Sequence, residues 1–493
     1  MFESMVTGLS FLFQPTIILY QLFAILIGII IGIIPGLTGI VLLAIFIPFT
    51  WTMDPQHALA FLMAGYAVCN NGGTITAILI NIPGTGANSA TLLDGFPMSQ
   101  QGKAGQAIGA ALTASALGGL FGGIVLAIFI PIVRPVVLAF GAPESFFLVI
   151  MGLSFISAVG RGSMGKALFA ALLGLLFSFV GYHASTAFPR YSFGMTTLFD
   201  GINIVPCALA VFAIPEMIDL MYKGGSISKV KSRAAPLRDV IEGCKAVIRH
   251  WWLLLRCSAL GTIVGIVPGV GADVSVWVAY GHAKITSKNP EAFGKGAIEG
   301  VIAPESASNG KEGGALLPTL ALGIPGSAAM AILLGAFLVL GIQPGPRFLV
   351  DHLDLAWTIV GALIISNIIG SLLCVFIGMQ LIRITQVRAQ FLAPVILCIT
   401  ALGAYCGENS AFDVFLMFAL SLLGWSMRKL GYSRPSFFLG FILGALAERY
   451  YNISVQTYGW QFFLTPISLV IIGLTFLGVF YEQLKAAFGR LKA

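Results

Sequence analysis

Apolar runs of about twenty residues recur along the whole chain, each long enough to cross roughly 30 Å of hydrocarbon. They predict spanning helices at about 107–130, 145–159, 167–183 and 202–221, and again at 356–382, 391–406, 414–427, 435–447 and 462–481. A first apolar block, 13–49, is interrupted at Pro35-Gly36. Against this background, 70–94 carries Asn, Thr, Ser, Gly and Pro at a density that an ordinary spanning helix does not tolerate. Pro83-Gly84 in its middle predicts that a helix entering from Thr74 breaks there and a second starts near Thr85. A weaker copy runs over 313–330, centred on Gly323-Ile324-Pro325-Gly326-Ser327.

The copy belongs to a longer correspondence. Gly32-Ile33-Ile34-Pro35-Gly36-Leu37 matches Gly265-Ile266-Val267-Pro268-Gly269-Val270 at an offset of 268 − 35 = 233. Asn81-Ile82-Pro83-Gly84-Thr85 matches Gly323 to Ser327 at 325 − 83 = 242. Paired, interrupted apolar segments in two halves are a hallmark of transporters built from repeats. The connection 51–57 has no Lys or Arg, whereas its counterpart after Gly269 carries His282, Lys284, Lys288 and Lys295. One reads as external and the other as cytoplasmic, so the halves read as inverted. Both flanks of 251–282 are basic, which makes that segment enter and return, turning near Pro268-Gly269. The organisation read from this is a first repeat over 1–222, a basic cytoplasmic connection over 223–250, a second repeat over 251–455, and an extra C-terminal span with a basic tail over 456–493.

Composition narrows the class. Hydrophobic residues make up 58% of the 493 and charged ones only 10%, where a soluble domain has about 25%. The net charge of +7 would fit nucleic acid, but Lys and Arg fall in the connections between spans, as membrane topology requires. The start of the chain lacks a basic stretch ahead of its apolar run, so no cleavable signal peptide is expected. Seven dispersed Cys without a C-x-x-C pair argue against a disulfide framework or a zinc site.

Candidate chemistry sits at the interruptions. Irregular backbone survives in a membrane only where protein or a wet cavity surrounds it. A helix starting near Thr85 would offer free N–H groups and a positive dipole end to a carboxylate, with Thr85, Gly86, Asn88 and Ser89 as donors and Gly326 and Ser327 as their counterparts. No Lys or Arg lies between Gly32 and Gln101, so an anion here is held by amides and hydroxyls. The competing reading is close helix packing, which accounts for the Gly residues but poorly for the Asn cluster. For Lys311 two readings stand: a partner for a substrate carboxylate, or, with Glu312, a wet helix end. The Pro-Gly breaks free carbonyl oxygens suited to a hard cation. This places a sodium site among Asn70, Asn71, Gly36, Thr38, Gly269, Asp273 and Asn309, with a plain kink and helix cap as the alternative for Asp273.

Enzyme-like motifs fail on inspection. Gly160-Arg161-Gly162-Ser163-Met164-Gly165-Lys166-Ala167 lacks the Ser/Thr that would hold magnesium and joins two apolar runs rather than following a strand. Gly269-Val270-Gly271-Ala272-Asp273 has an inserted Ala272 relative to an intramembrane aspartyl protease, and no second carboxylate occupies a comparable motif.

Together these residues resemble the TctA family, the large membrane subunit of the tripartite tricarboxylate transporters. The resemblance is carried by Gly32 to Thr38, Asn81 to Thr85, Gly265 to Asp273, Ala303-Pro304-Glu305-Ser306, Gly323 to Ser327 and Pro344-Gly345-Pro346. Where the family commonly shows Ala-Ala-Asn-Asn after Pro-Glu, this chain has Ser306-Ala307-Ser308-Asn309, a mild departure with a bearing on substrate choice. The resemblance implies a bacterial inner-membrane secondary transporter working with a small four-helix membrane subunit (TctB-like) and a periplasmic solute-binding protein (TctC-like). Import of a carboxylate such as citrate, driven by an ion gradient with sodium the expected ion, follows from it. The expected fold is an all-α polytopic membrane protein of two inverted repeats with broken helices, moving in an elevator-like or rocking manner. No cofactor and no nucleic-acid partner are expected, and a homo-oligomer of the whole complex is left open. A passive carboxylate channel is the alternative, and a membrane-embedded enzyme a more distant one.

Overall fold

The computed structural model describes the chain except residues 35, 138, 160–163, 184–185, 187, 224–235, 268–270, 379, 381–388 and 477–493. For a few more, among them Asp273, it gives only the backbone path. The architecture is all-α, with one two-residue antiparallel pair, Gly181–Tyr182 with Pro189–Arg190, among the described residues. Five described helices are long and apolar enough to cross a membrane: Pro15–Ile33, Ala104–Val136, Ile204–Tyr222, Leu353–Phe376 and Ala411–Leu430. A sixth is formed if Arg434–Leu464 and Pro466–Phe476, bent by 66°, make one span. The chain is therefore a multi-pass membrane protein, with large apolar side chains such as Phe23, Ile128, Leu372 and Leu422 exposed along these helices.

Two further helices form the centre and are too polar to be counted as ordinary spans. The first long arm, Pro55–Ile80, is buried from Ala58 to Ile80, and the second, Glu299–Leu322, is buried over nearly its whole length. Each packs against a glycine-bearing partner. A side chain at Gly28 would strike the Gly65 carbonyl, and one at Gly32 the Cys69 carbonyl. In the other half Gly261 meets the Ala307 carbonyl in the same way, and Gly265 that of Lys311. Gly72 backs on the Ile29 carbonyl as Gly314 backs on that of Thr262. Partner helices are displaced by 261 − 28 = 233 and the arms by 307 − 65 = 242, so the two pairs share one packing pattern. Backbones approach this closely only where Cβ atoms are missing or small.

Several expectations need correction. The first arm does not break at Pro83-Gly84: it ends at Asn81, held in the left-handed conformation (φ 57°, ψ 30°). No α-helix starts at Thr85. A single 3-10 turn, Gly86–Asn88, follows, and the α-helix begins only at Leu92. The reason is local: Asn88 turns back to cap the Thr85 amide, which closes a short turn instead of opening a long helix. The expected span over 167–183 stops at Ser178, where the strand pair takes over. A helix Phe2–Phe11 precedes the first apolar block. The basic connection contains an amphipathic helix, Leu237–Arg249, that buries Val240, Gly243 and Val247. The basic tail with Lys485, Arg490 and Lys492 lies outside the described residues.

Candidate functional site

The two interruptions meet. After Asn81 the chain reverses, and Gly84 comes to rest against Gly73 and the Gly32 carbonyl. After Gly323 (φ 70°) it does the same, bringing Gly326 against Ala315 and the Gly265 carbonyl. Each return delivers an extended hydroxyl residue to the level of the arm's middle: Thr85 (φ −130°, ψ 167°) and Ser327 (φ −153°, ψ 169°). Between them lies a cavity of about 140 Å³. Thr85, Gly86 and Ala87 form one wall, and Ser327, Ala328 and Ala329 another. Thr38, Gly39 and Ile40 add a third, while Tyr66, Asn70, Lys311 and Glu312 project from the arms.

The electrostatics of this cavity centre on one ion pair. Lys311 Nζ lies 2.9 Å from Glu312 Oε1, and both residues are almost completely buried in mid-helix. The wet-helix-end reading of Lys311 is thereby excluded. The Tyr66 hydroxyl donates to Glu312 Oε2 at 2.7 Å and lies 3.4 Å from Lys311 Nζ. Taking two charges out of water is costly, and close pairing offsets that cost. Sequence reasoning missed Tyr66. The available signal was its position one turn before Asn70, on the same face of the helix.

Behind the Thr85 wall the first arm is fastened by side chains. Thr85 Oγ1 donates to Asn88 Oδ1 at 2.8 Å and approaches Asn70 Oδ1 at 3.2 Å. Asn88 Nδ2 donates to the Asn70 carbonyl (3.1 Å) and to Thr74 Oγ1 (2.8 Å). Asn88 is therefore fully buried and outside the cavity lining, as a brace. Ser89 donates to the Gly86 carbonyl at 2.6 Å, and Gly326 gives its amide to Thr319 Oγ1 at 3.2 Å; neither lines the cavity. Glu305, in a motif noted for its resemblance but not singled out for the site, is the hub of the brace. Its carboxylate accepts from Thr91 (2.6 Å), Ser115 (2.7 Å) and Thr74 (2.9 and 3.0 Å), with no exposure to solvent. The dipole argument now applies only to the second wall, where Ser327 caps the twelve-residue helix Ala328–Val339.

The residues expected to hold sodium fall into separate places. Asn70 and Thr38 reach the cavity. Asn71 and Asn309 form a second polar cluster between the arms and Leu353–Leu373. There Asn71 Nδ2 donates to Ser371 Oγ (2.9 Å), and Asn309 Nδ2 donates to Asn367 Oδ1 (2.7 Å) and Asn71 Oδ1 (3.3 Å). Asn309 Oδ1 is buried there without a hydrogen-bond partner, which is the kind of oxygen that a hard cation would take up. Gly36 (φ 94°) is exposed, and a Cβ on it would meet nothing nearer than Glu216 Oε2 at 4.0 Å. Gly269 lies outside the described residues, and so does the side chain of Asp273.

A bundle of membrane helices, with two broken arms closing on a cavity that holds a single lysine among its described lining residues, has the make-up of a membrane transporter. Comparison with known proteins gives the family. Residues 18–439 match the model of the tripartite tricarboxylate transporter TctA family, and the chain belongs to that family. It is thus a transporter component and not an enzyme. A relative from Agrobacterium vitis, the "uncharacterized 52.8 kDa protein in TAR-I ttuC' 3'region", is 34% identical over 95% of this chain and 93% of its own length. The "uncharacterized protein in TAR-II ttuC' 3'region" of the same organism is 34% identical over 43% of this chain and 90% of its own. No solved structure matches.

Proposed function

We propose that the chain is the translocating subunit of a binding-protein-dependent secondary transporter in a bacterial inner membrane, importing a small carboxylate in symport with sodium. The observation that carries this reading is the meeting of Thr85 and Ser327, from two separate interruptions, across one cavity. About 140 Å³ suits a small organic acid better than the drug-sized ligands that fill roughly 300–1,000 Å³. The hydroxyl of Ser327, the amide of Asn70 and the ammonium of Lys311 would hold the carboxylates, and the hydroxyls of Thr85 and Tyr66 would join them by turning away from Asn88 and Glu312.

Glu312 already offsets the charge of Lys311, so the empty cavity is close to neutral. A di- or tricarboxylate brings uncompensated negative charge into a low-dielectric barrier, which is expensive unless cations travel with it. The Asn71–Asn309–Asn367 cluster is the favoured sodium position, with the Thr38–Asn70 edge of the cavity as the other. The shared packing of the two arms supports a duplicated unit, inverted in the membrane, that moves as a block in an elevator-like manner. A small TctB-like membrane subunit and a TctC-like solute-binding protein complete the system.

The test is radiolabelled citrate uptake into proteoliposomes that contain all three components, with and without a sodium gradient. Thr85→Trp and Ser327→Trp should each reduce uptake at least 100-fold while the protein still inserts and purifies as before. Uptake that survives both replacements, or that fails to saturate and ignores sodium, would refute the reading.

A further inference from the structure

A second polar cavity lies far from the first. The helix Ala104–Val137 has 34 residues, about 50 Å at 1.5 Å per residue. Near its start, Gly109 backs on Val240 of the amphipathic helix in the basic connection. Just beyond its other end, Phe140 to Ser145 form one side of a cavity of about 240 Å³. The opposite side is the Pro344-Gly345-Pro346-Arg347 turn, a motif that the transport site leaves unused, with Arg449 and Tyr450 from the helix Arg434–Tyr458. This end is opposite the basic connection, where membrane topology places few Lys and Arg.

Arg347 and Arg449 both line this cavity, both are exposed, and neither makes an ion pair or hydrogen bond among the described residues. Asp351, one turn after Arg347, makes no ion pair with it, and two other nearby acids are engaged elsewhere. Glu448, the residue before Arg449, is taken by Arg190 through two bonds of 2.8 and 2.9 Å and lies 3.1 Å from His183 Nε2. Glu144 accepts from the Gly141 amide (2.9 Å) and from Thr465 Oγ1 (2.7 Å). Two like charges thus share one recess without an ion-pair partner, beside Gln343, which donates to the Tyr450 hydroxyl at 2.6 Å, and Ser145, whose hydroxyl donates to the Gly141 carbonyl. Guanidinium pairs of this kind match planar oxyanions.

We propose that this recess is a second anion site, taking a small carboxylate or phosphate group on the face of the membrane opposite the basic connection. Its floor touches the transport site's frame: a Cβ on Gly323, the cap of the second arm, would lie 3.2 Å from Gly345 Cα. Two sources carry that chemistry, a free organic acid waiting to enter and a phospholipid headgroup. The proposal rests on the preceding reading only for the choice of citrate as a probe.

The experiment uses the purified chain in nanodiscs at low ionic strength. Equilibrium binding of radiolabelled citrate is measured in phosphatidylcholine discs, and retention of phosphatidylglycerol is measured by native mass spectrometry. The double variant Arg347→Gln/Arg449→Gln should weaken one of these probes at least tenfold, and Ser327→Trp should leave that same signal in place. Loss of citrate assigns the free acid, and loss of lipid alone assigns the headgroup. In the unaltered protein, the bound probe should shield Arg347 and Arg449 from phenylglyoxal. Unchanged binding of both probes by the double variant, or no shielding by either, overturns the proposal. Citrate lost in Ser327→Trp alone, with lipid retention unchanged in the double variant, would leave the transport reading standing and this one refuted.

Discussion

Glu305 shows what a single buried side chain holds together. Three hydroxyls from three segments, Thr74, Thr91 and Ser115, donate to its carboxylate away from water. Glu305→Ala strands Thr91 and Ser115, at about 1–3 kcal/mol for each group left unsatisfied, while Thr74 keeps the Asn70 carbonyl at 3.0 Å. The expected result is little or no monodisperse protein, read by fluorescence-detected size exclusion, while Glu305→Gln retains a partner for most of them and is milder. Lys311 and Glu312 make a different prediction. Lys311→Met alone leaves a buried carboxylate unpaired, which costs about 3–5 kcal/mol. Adding Glu312→Gln should restore the thermal midpoint but not transport, which separates the pair's structural cost from its role in the cavity. Neither role is visible along the chain, because nothing local to Glu305 or Glu312 tells which acid braces the wall and which faces the cavity.

At the scale of elements, two contacts hold the interrupted segments in register. The first is the glycine seam: Gly84 against Gly73 and Gly32, and Gly326 against Ala315 and Gly265. Gly84→Val or Gly326→Val pushes a side chain into backbone that cannot yield, so each return should be expelled from its seat. The check is uptake together with limited proteolysis, where loss of uptake and new cleavage near the altered turn are expected. The second contact is Asp94, whose Oδ1 accepts the amides of Gly294 (2.8 Å), Gly296 (2.9 Å) and Ala297 (2.8 Å), while Tyr280 donates to Oδ2 at 2.9 Å. It clasps the helix after the first interruption to a loop of the other half. Asp94→Ala should cost about 3 kcal/mol, given the strength of hydrogen bonds to charged groups, and lower the thermal midpoint of the purified protein. The seam was legible as Pro-Gly motifs at fixed offsets. The clasp was not, because 294 − 94 = 200 residues separate its two sides.

For the whole molecule, the orientation inferred from loop charge has a direct test. Lys245, on the amphipathic helix, and Arg347, at the second cavity, lie toward opposite ends of the long helix Ala104–Val137. A cysteine placed at Arg347 should react with an impermeant maleimide applied to intact spheroplasts. One placed at Lys245 should react only after permeabilisation. At the basic end, Glu216 pairs with Arg428 and Arg434, and Asp219 with Arg428 and Lys429. This network ties Ile214–Lys223 to the helices on either side of Gly431, and it is partly screened by solvent, so its contribution to stability is modest.

The order of the apolar runs and the neighbourhood of the two interruptions were set by the sequence alone. Burial of backbone in a membrane allows few solutions for such runs, and residues that break helices act within one turn of themselves. The family resemblance and the pairing of the halves were legible for the same reason, since both rest on short motifs. What only the tertiary structure decided was which polar groups face the cavity and which hold its walls. Thr85 and Ser327 point inward, Asn88 and Glu305 brace from behind, Asn71 and Asn309 meet elsewhere, and Tyr66 joins the site unannounced. Those assignments depend on where each chain returns after its left-handed cap at Asn81 or Gly323. That return is governed by contacts between segments tens to hundreds of residues apart, to which no local pattern along the chain responds.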